Sequence, residues 1–227
     1  MTYFIFIFLS TGLLVGFLAG LLGVGGGIII VPITYFILIN LGYSIDTAMH
    51  VAVASSLGTI CFTSLSSIRS HLILGNTNIS IVKKWVFGIV LGSIIGSLLA
   101  SIISGEILII IFIFLAFVIS INMGLQQEPL IISKEIPSSN IINFLISSII
   151  GFLSVLIGIG GGSFTVPVLT MFSKKIHEAV GTSAVIGFFI ALPGVIIFMI
   201  TGNFKETLPE YSIGYVNIPI VLLVSLT

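Results

Sequence analysis

Two glycine clusters in this chain have the spacing to hold an anion without any charged side chain. Gly23, Gly25, Gly26 and Gly27 lie in GFLAGLLGVGGGIIIVP (16–32), and Gly158, Gly160, Gly161 and Gly162 in GFLSVLIGIGGGSFTVP (151–167). Glycine loses the most backbone entropy in a helix and readily takes positive φ, so each cluster should break a helix. Where the helix restarts, its first amides lack intrahelical acceptors and the dipole makes that end partly positive. A small oxyanion could accept those N–H bonds, with glycine allowing close approach. Elsewhere glycine has another use: Gly12, Gly16 and Gly20, and Gly88, Gly92 and Gly96, recur every four residues and read as contacts between packed helices. A nucleotide-binding GxGxxG loop is a poor rival, since neither cluster sits in a βαβ context with an acidic residue downstream.

Hydroxyl residues follow each cluster. Ser55 and Ser56 align with Thr182 and Ser183, and Thr59, Thr63, Ser66 and Ser70 continue at helical spacing, so a polar stripe along a pathway is expected. Among ionisable groups, Asp46 and His50 are four apart, hence on one helical face, and His71 follows Arg69 near the far end of the same helix. These three are the candidates for ion coupling. One cysteine, Cys61, and three scattered histidines provide no metal-ligand set, and no cofactor is implied. Paired carboxylates inside apolar segments are missing too, which argues against an enzyme.

These residues need elements to carry them, and composition says where those elements lie. Hydrophobic residues make up 57% of the 227 and charged residues 6%, with a mean hydropathy of +1.36. A soluble domain has about 25% charged residues, so this is an all-α polytopic membrane protein. Seven basic residues balance seven acidic ones, and no basic cluster points to nucleic acid. An N-terminus without Lys or Arg that runs apolar to Ile39 reads as a first membrane segment rather than a cleaved leader. Spans of about 20 apolar residues are expected at 3–22 with a short arm at 28–39, then at 47–68, 85–103 and 107–124. A polar linker at 126–140 separates residues 1–125 from 141–227. The second part brings 141–157 with an arm at 163–172, then 180–200. A final segment of 13 residues, 215–227, reaches only about 20 Å and is too short to cross, so the second part is expected to be truncated.

The two parts match. Ten of the 17 positions around the glycines are identical at an offset of 135, and eight of 25 between Ala52–Asn76 and Ala179–Asn203 at an offset of 127. Two homologous halves, each a glycine-broken helix followed by transmembrane helices, are the economical reading. Basic residues choose a topology: if each broken segment dips in and returns, Arg69, Lys83, Lys84, Lys134, Lys174 and Lys175 share one side and Lys205 lies opposite. The halves would then be inverted, as in many secondary transporters.

The doubled GxxxxxxGxGGGxxxxP pattern, followed by HVAVASSLGTICFTSLSSIRSHLILGN and AVGTSAVIGFFIALPGVIIFMITGN, resembles the sulfite exporter TauE/SafE family over essentially the whole chain. That resemblance implies a multi-pass permease of the inner (cytoplasmic) membrane that moves sulfite, sulfonates or related sulfur-containing or organic anions. The combined expectation is alternating access between halves, with the lipid bilayer and a small anion as partners. A non-transporting anion-binding or scaffold subunit is the alternative, and exposed glycine faces are compatible with a homodimer.

Overall fold

The computed structural model describes residues 2–22, 26–125, 131–203 and 207–226. Its elements in chain order are α1 (Thr2–Leu22), α2 (Gly27–Asn40), α3 (Ile45–Ile73), α4 (Ile79–Ile102), α5 (Gly105–Leu125), α6 (Asn140–Leu156), α7 (Gly162–Met171), α8 (Ile176–Gly202), a hairpin of β1 (Ser212–Ile213) and β2 (Val216–Asn217), and α9 (Ile218–Ser225). Four of them, α3, α4, α8 and α5 over Gly105–Asn122, are long and apolar enough to cross a membrane. The chain is an all-α membrane protein with that one small hairpin among the described residues.

Hydrogen bonds fix which helix ends lie together. Asn78, just before α4, donates its side-chain amide to Glu178 of α8 at 2.7 Å, and Trp85 Nε1 donates to Asn143 Oδ1 of α6 at 2.9 Å. In the linker, Ile132 N–H donates to Met171 O at the end of α7. The starts of α4, α6 and α8 and the end of α7 therefore share one end of the molecule. At the other end, His50 near the start of α3 reaches Ala100 near the end of α4, and Asp46 accepts from the Gly105 amide that opens α5. Gly214 of the hairpin donates to Asn203 Oδ1 there, just past the end of α8. Helices α3, α4 and α8 thus run from end to end, whereas α6 and α7 form a bent pair that enters and returns on the same side. Arg69, Lys83, Lys84, Lys134, Lys174 and Lys175 all belong to that side, and Lys205 lies outside the described residues.

Packing follows side-chain size. Helix α4 lies closely along α6, with Gly88, Gly92 and Gly96 facing the backbone or small side chains of Phe144, Ser147, Ser148 and Phe152. A side chain at Gly92 would collide with the Ser148 carbonyl, so here glycine is a contact residue, as its four-residue spacing suggests. Helix α3 is buried on every face from Thr47 to Ile60, and α8 crosses it. Large apolar side chains on α5, such as Ile110, Phe114 and Phe117, point outward, as lipid contact requires.

Several boundaries differ from the sequence expectation. Helix α4 begins at Ile79 rather than Trp85 because Asn78 Oδ1 caps it by accepting from Ile81 N–H, so Lys83 and Lys84 ride on its exposed first turns. Residues 215–217 complete a hairpin instead of opening a helix; Asn217 Oδ1 then caps α9 at Ile220 N–H, with Pro219 in its first turn.

Candidate functional site

Near mid-molecule the second glycine break meets α3. Helix α6 ends at Leu156, and Gly158 turns the chain with φ +65°, a conformation that side-chain-bearing residues rarely adopt. Its carbonyl accepts a hydrogen bond from Ser56 Oγ at 2.7 Å. A Cβ at Gly158 would sit 3.0 Å from Val53 Cα, so two requirements fix glycine at this point. Gly27, the first residue of α2, packs directly on the same Gly158 carbonyl. The start of the first arm and the end of the second broken helix therefore touch.

Helix α7 starts one turn later. Gly161 is its N-cap residue, with no side-chain cap, and approaches Ser183 O and Gly187 N of α8 so closely that a Cβ would lie 2.8 Å from either. The first amides of α7 have no acceptor within the helix. Beside them, in the first turn and a half, Ser163 and Thr165 are 3% and 0% exposed, and neither hydroxyl has a hydrogen-bond partner among the described residues. Buried hydroxyls are nearly always paired, so two orphans at a helix start mark a place where something else can bond. Ser154 of α6 and Thr34 of α2 are buried and unpaired as well. An apolar recess of 190 Å3 lined by Val31, Tyr35, Met49, Ile109 and Phe112 offers no comparable chemistry.

The sequence-predicted residues divide into groups. Gly26, Gly27, Gly158, Gly160, Gly161, Gly162, Ser56 and Ser183 belong to this central region, where Ser183 Oγ donates to Val180 O and Gly160 packs on Ile60. Gly23 and Gly25 lie outside the described residues. Ser55 and Thr182 are placed toward opposite ends: Ser55 Oγ accepts from Asn217 N–H at 3.0 Å, and Thr182 Oγ1 accepts from Asn78 N–H at 3.0 Å. The extended hydroxyl stripe bonds locally, with Thr59, Thr63 and Ser70 each donating to the carbonyl one turn back. The ion-coupling trio separates. Asp46 and His50 are neighbours near one end, while His71 is 21 residues further along α3, about 30 Å away. Asp46 and His50 do not pair through the carboxylate: His50 Nδ1 meets the Asp46 backbone carbonyl, and the carboxylate takes the Gly105 amide.

Sequence reasoning missed four residues. Ser163 and Thr165 carry no signal, because a lone hydroxyl in an apolar helix usually bonds to its own backbone. Asn78 and Asn217 do carry one. Each opens a matching run, NISIV at 78–82 and NIPIV at 217–221, and each caps the helix that follows.

A multi-pass helical membrane protein in which the start of α2 meets the broken end of α6 inside the molecule defines the class. The family model for sulfite exporter TauE/SafE matches residues 8–227, and the chain belongs to that family. Its relatives are named as transporters. It is 34% identical to a probable membrane transporter protein of Haemophilus influenzae, over 99% of this chain and 84% of that one. A probable membrane transporter protein of Methanocaldococcus jannaschii shares 31% over 95% of this chain and 79% of its own length. The probable membrane transporter protein YunE of Bacillus subtilis shares 29% over 85% and 77%. No solved structure matches. The protein is a membrane transporter by family.

Proposed function

We propose that this transporter moves a small anion, sulfite or an organic sulfonate in the first instance, across the cytoplasmic membrane by alternating access between two inverted halves. The observation that carries the reading is the start of α7, where Ser163 and Thr165 present buried, unpaired hydroxyls beside amides that helix geometry leaves free. An oxyanion accepts hydrogen bonds, and the two hydroxyls and the free amides here can all donate them. The helix dipole adds its partial positive charge. No charged side chain is needed, so the substrate can leave as readily as it enters.

Six cations on the side of the α6–α7 pair argue that this side faces the cytoplasm. The glycines at 26, 27, 158, 160, 161 and 162 bring backbone to the substrate; Ser56 and Ser183 hold the surrounding backbone in place.

The test is flux of sulfite, sulfate and a small sulfonate into sealed proteoliposomes. Sulfite or sulfonate flux above that of empty liposomes is expected. Replacing Ser163 by Ala together with Thr165 by Val should weaken apparent affinity roughly tenfold, about 1.4 kcal/mol. A folded, correctly inserted protein that moves none of the three would end the anion reading.

A further inference from the structure

The environment of His50 has no use in the anion reading and points to a second ligand. His50 is 1% exposed. Its Nδ1 lies 2.7 Å from Asp46 O and its Nε2 2.9 Å from Ala100 O. Both partners are backbone carbonyls, and a carbonyl only accepts. A neutral imidazole has one N–H and one lone pair, so in this arrangement it would aim a lone pair at an oxygen; the imidazolium has two N–H groups and satisfies both. We propose that His50 is a proton-binding site and that its bound proton latches this conformation of the transporter.

The surroundings suit a cation. Ala100 is in the last turn of α4, whose terminal carbonyls lack intrahelical donors and carry the negative end of the dipole. The ring stacks on Tyr215 with centroids 4.8 Å apart and planes 25° from parallel, which places the charge over an aromatic face. On α3 itself the Asp46 carboxylate is one turn away; it acts electrostatically on Tyr215 and accepts from the Gly105 amide. On α5 the exposed Glu106 follows Gly105, the hairpin contributes Tyr215, and the facing end of α4 contributes no titratable group. Among the described residues, the charges near the ring are therefore negative.

The proton would hold four elements at one point. His50 ties α3 to the end of α4, Asp46 ties it to the start of α5, and Tyr215 brings in the hairpin that leads to α9. Removing the proton leaves one of the two carbonyls facing a lone pair, so the remaining N–H can satisfy only one of them, and the hold on the α4–α5 elbow weakens. A ligand that binds one conformer better than the other shifts the balance between them, so this conformer should gain population as pH falls. The inference is independent of which anion is carried.

The experiment is nitrogen-15 NMR of the histidine-labelled protein, with H50Q to assign the signal, combined with a spin-label distance between Leu41→Cys and Ile102→Cys in a Cys61→Ala background. Expected are two protonated ring nitrogens on His50, and a label distance that lengthens with rising pH in the parent but is long and pH-independent in H50Q. A single neutral tautomer on His50 at the short label distance overturns the proposal, as does a distance that ignores loss of the His50 proton. Should H50Q fail to fold, a His71→Asn/His177→Asn variant leaves His50 as the only histidine and reads its protonation directly. Neither measurement requires sulfite flux, so failure here and failure of the anion reading are separable.

Discussion

At one end of the molecule Asn78 opens α4, gives its backbone N–H to Thr182 Oγ1 and its side-chain amide to Glu178. Toward the other, but deeper, beside the middle of α3, Asn217 opens α9, gives its backbone N–H to Ser55 Oγ and its side-chain amide to Glu210 O and Ser212 Oγ. Ser55 and Thr182 align at an offset of 127 residues, and a similar clamp is built on each of them by a different asparagine. The surroundings differ. Asn217 is 2% exposed and makes its backbone bond to Ser55 and its cap to Ile220 away from water, while Asn78 is half-buried and leans on a carboxylate. The same offset that pairs Ser55 with Thr182 pairs His50 with His177; the first is buried and bonded on both nitrogens, the second is exposed. Similar clamps thus yield a sealed junction and a wet one, and the energetic weight of each polar group follows the water rather than the sequence.

Stability should expose that difference. Asn217→Ala is expected to destabilise by about 3 kcal/mol, because it removes a helix cap, strands the buried Ile220 amide and loses two further side-chain bonds. Denaturant unfolding in detergent would measure it, and a loss no larger than that of Asn78→Ala would break the comparison. Ser55→Ala leaves the Asn217 amide buried without an acceptor, for a loss of about 2 kcal/mol, against about 1 kcal/mol for Thr182→Val, whose stranded amide is nearer solvent. Asn78→Ala should lose about 1 kcal/mol, the ordinary value of a cap that water can partly replace. Gly42→Ala and Gly75→Ala give the baseline: both turns have positive φ, +88° and +66°, with nothing within 4 Å of a new Cβ, so each should lose about 1 kcal/mol irrespective of end. A marked inequality between these two would show that backbone strain, not water, separates the ends.

What could be read in advance had local causes. Glycine clusters inside apolar runs announce broken helices because the backbone there has no better option, and the four-residue spacing of Gly88, Gly92 and Gly96 announces close packing. The basic residues announced the α6–α7 return, since six of them fall on one side. Less visible were features that depend on a distant partner. Asn78 caps its own helix in a way that spacing could suggest, but its amide needs Thr182, 104 residues away. Ser163 and Thr165 look like ordinary helix hydroxyls, and only their burial without partners singles them out. The hairpin was hidden because Tyr215 and Val216 carry no charge and run directly into the apolar helix that follows them. His50 was legible as a partner of Asp46, though the bond goes to the backbone rather than the carboxylate.

The two asparagine clamps also set an order of events during synthesis. A chain emerging at about 5–20 residues per second presents Asn78 well before Thr182 exists, a wait of roughly 5–20 s. Ser55 waits longer still, until Asn217 arrives 162 residues later. Neither junction can close until the later helices arrive, so the first five helices enter the membrane with these two clamps open and only contacts such as His50–Ala100 and Asp46–Gly105 between them. The later helices then complete the earlier ones. Consolidation should come late and all at once, and insertion intermediates cut short before α8 should be the ones most exposed to membrane proteases.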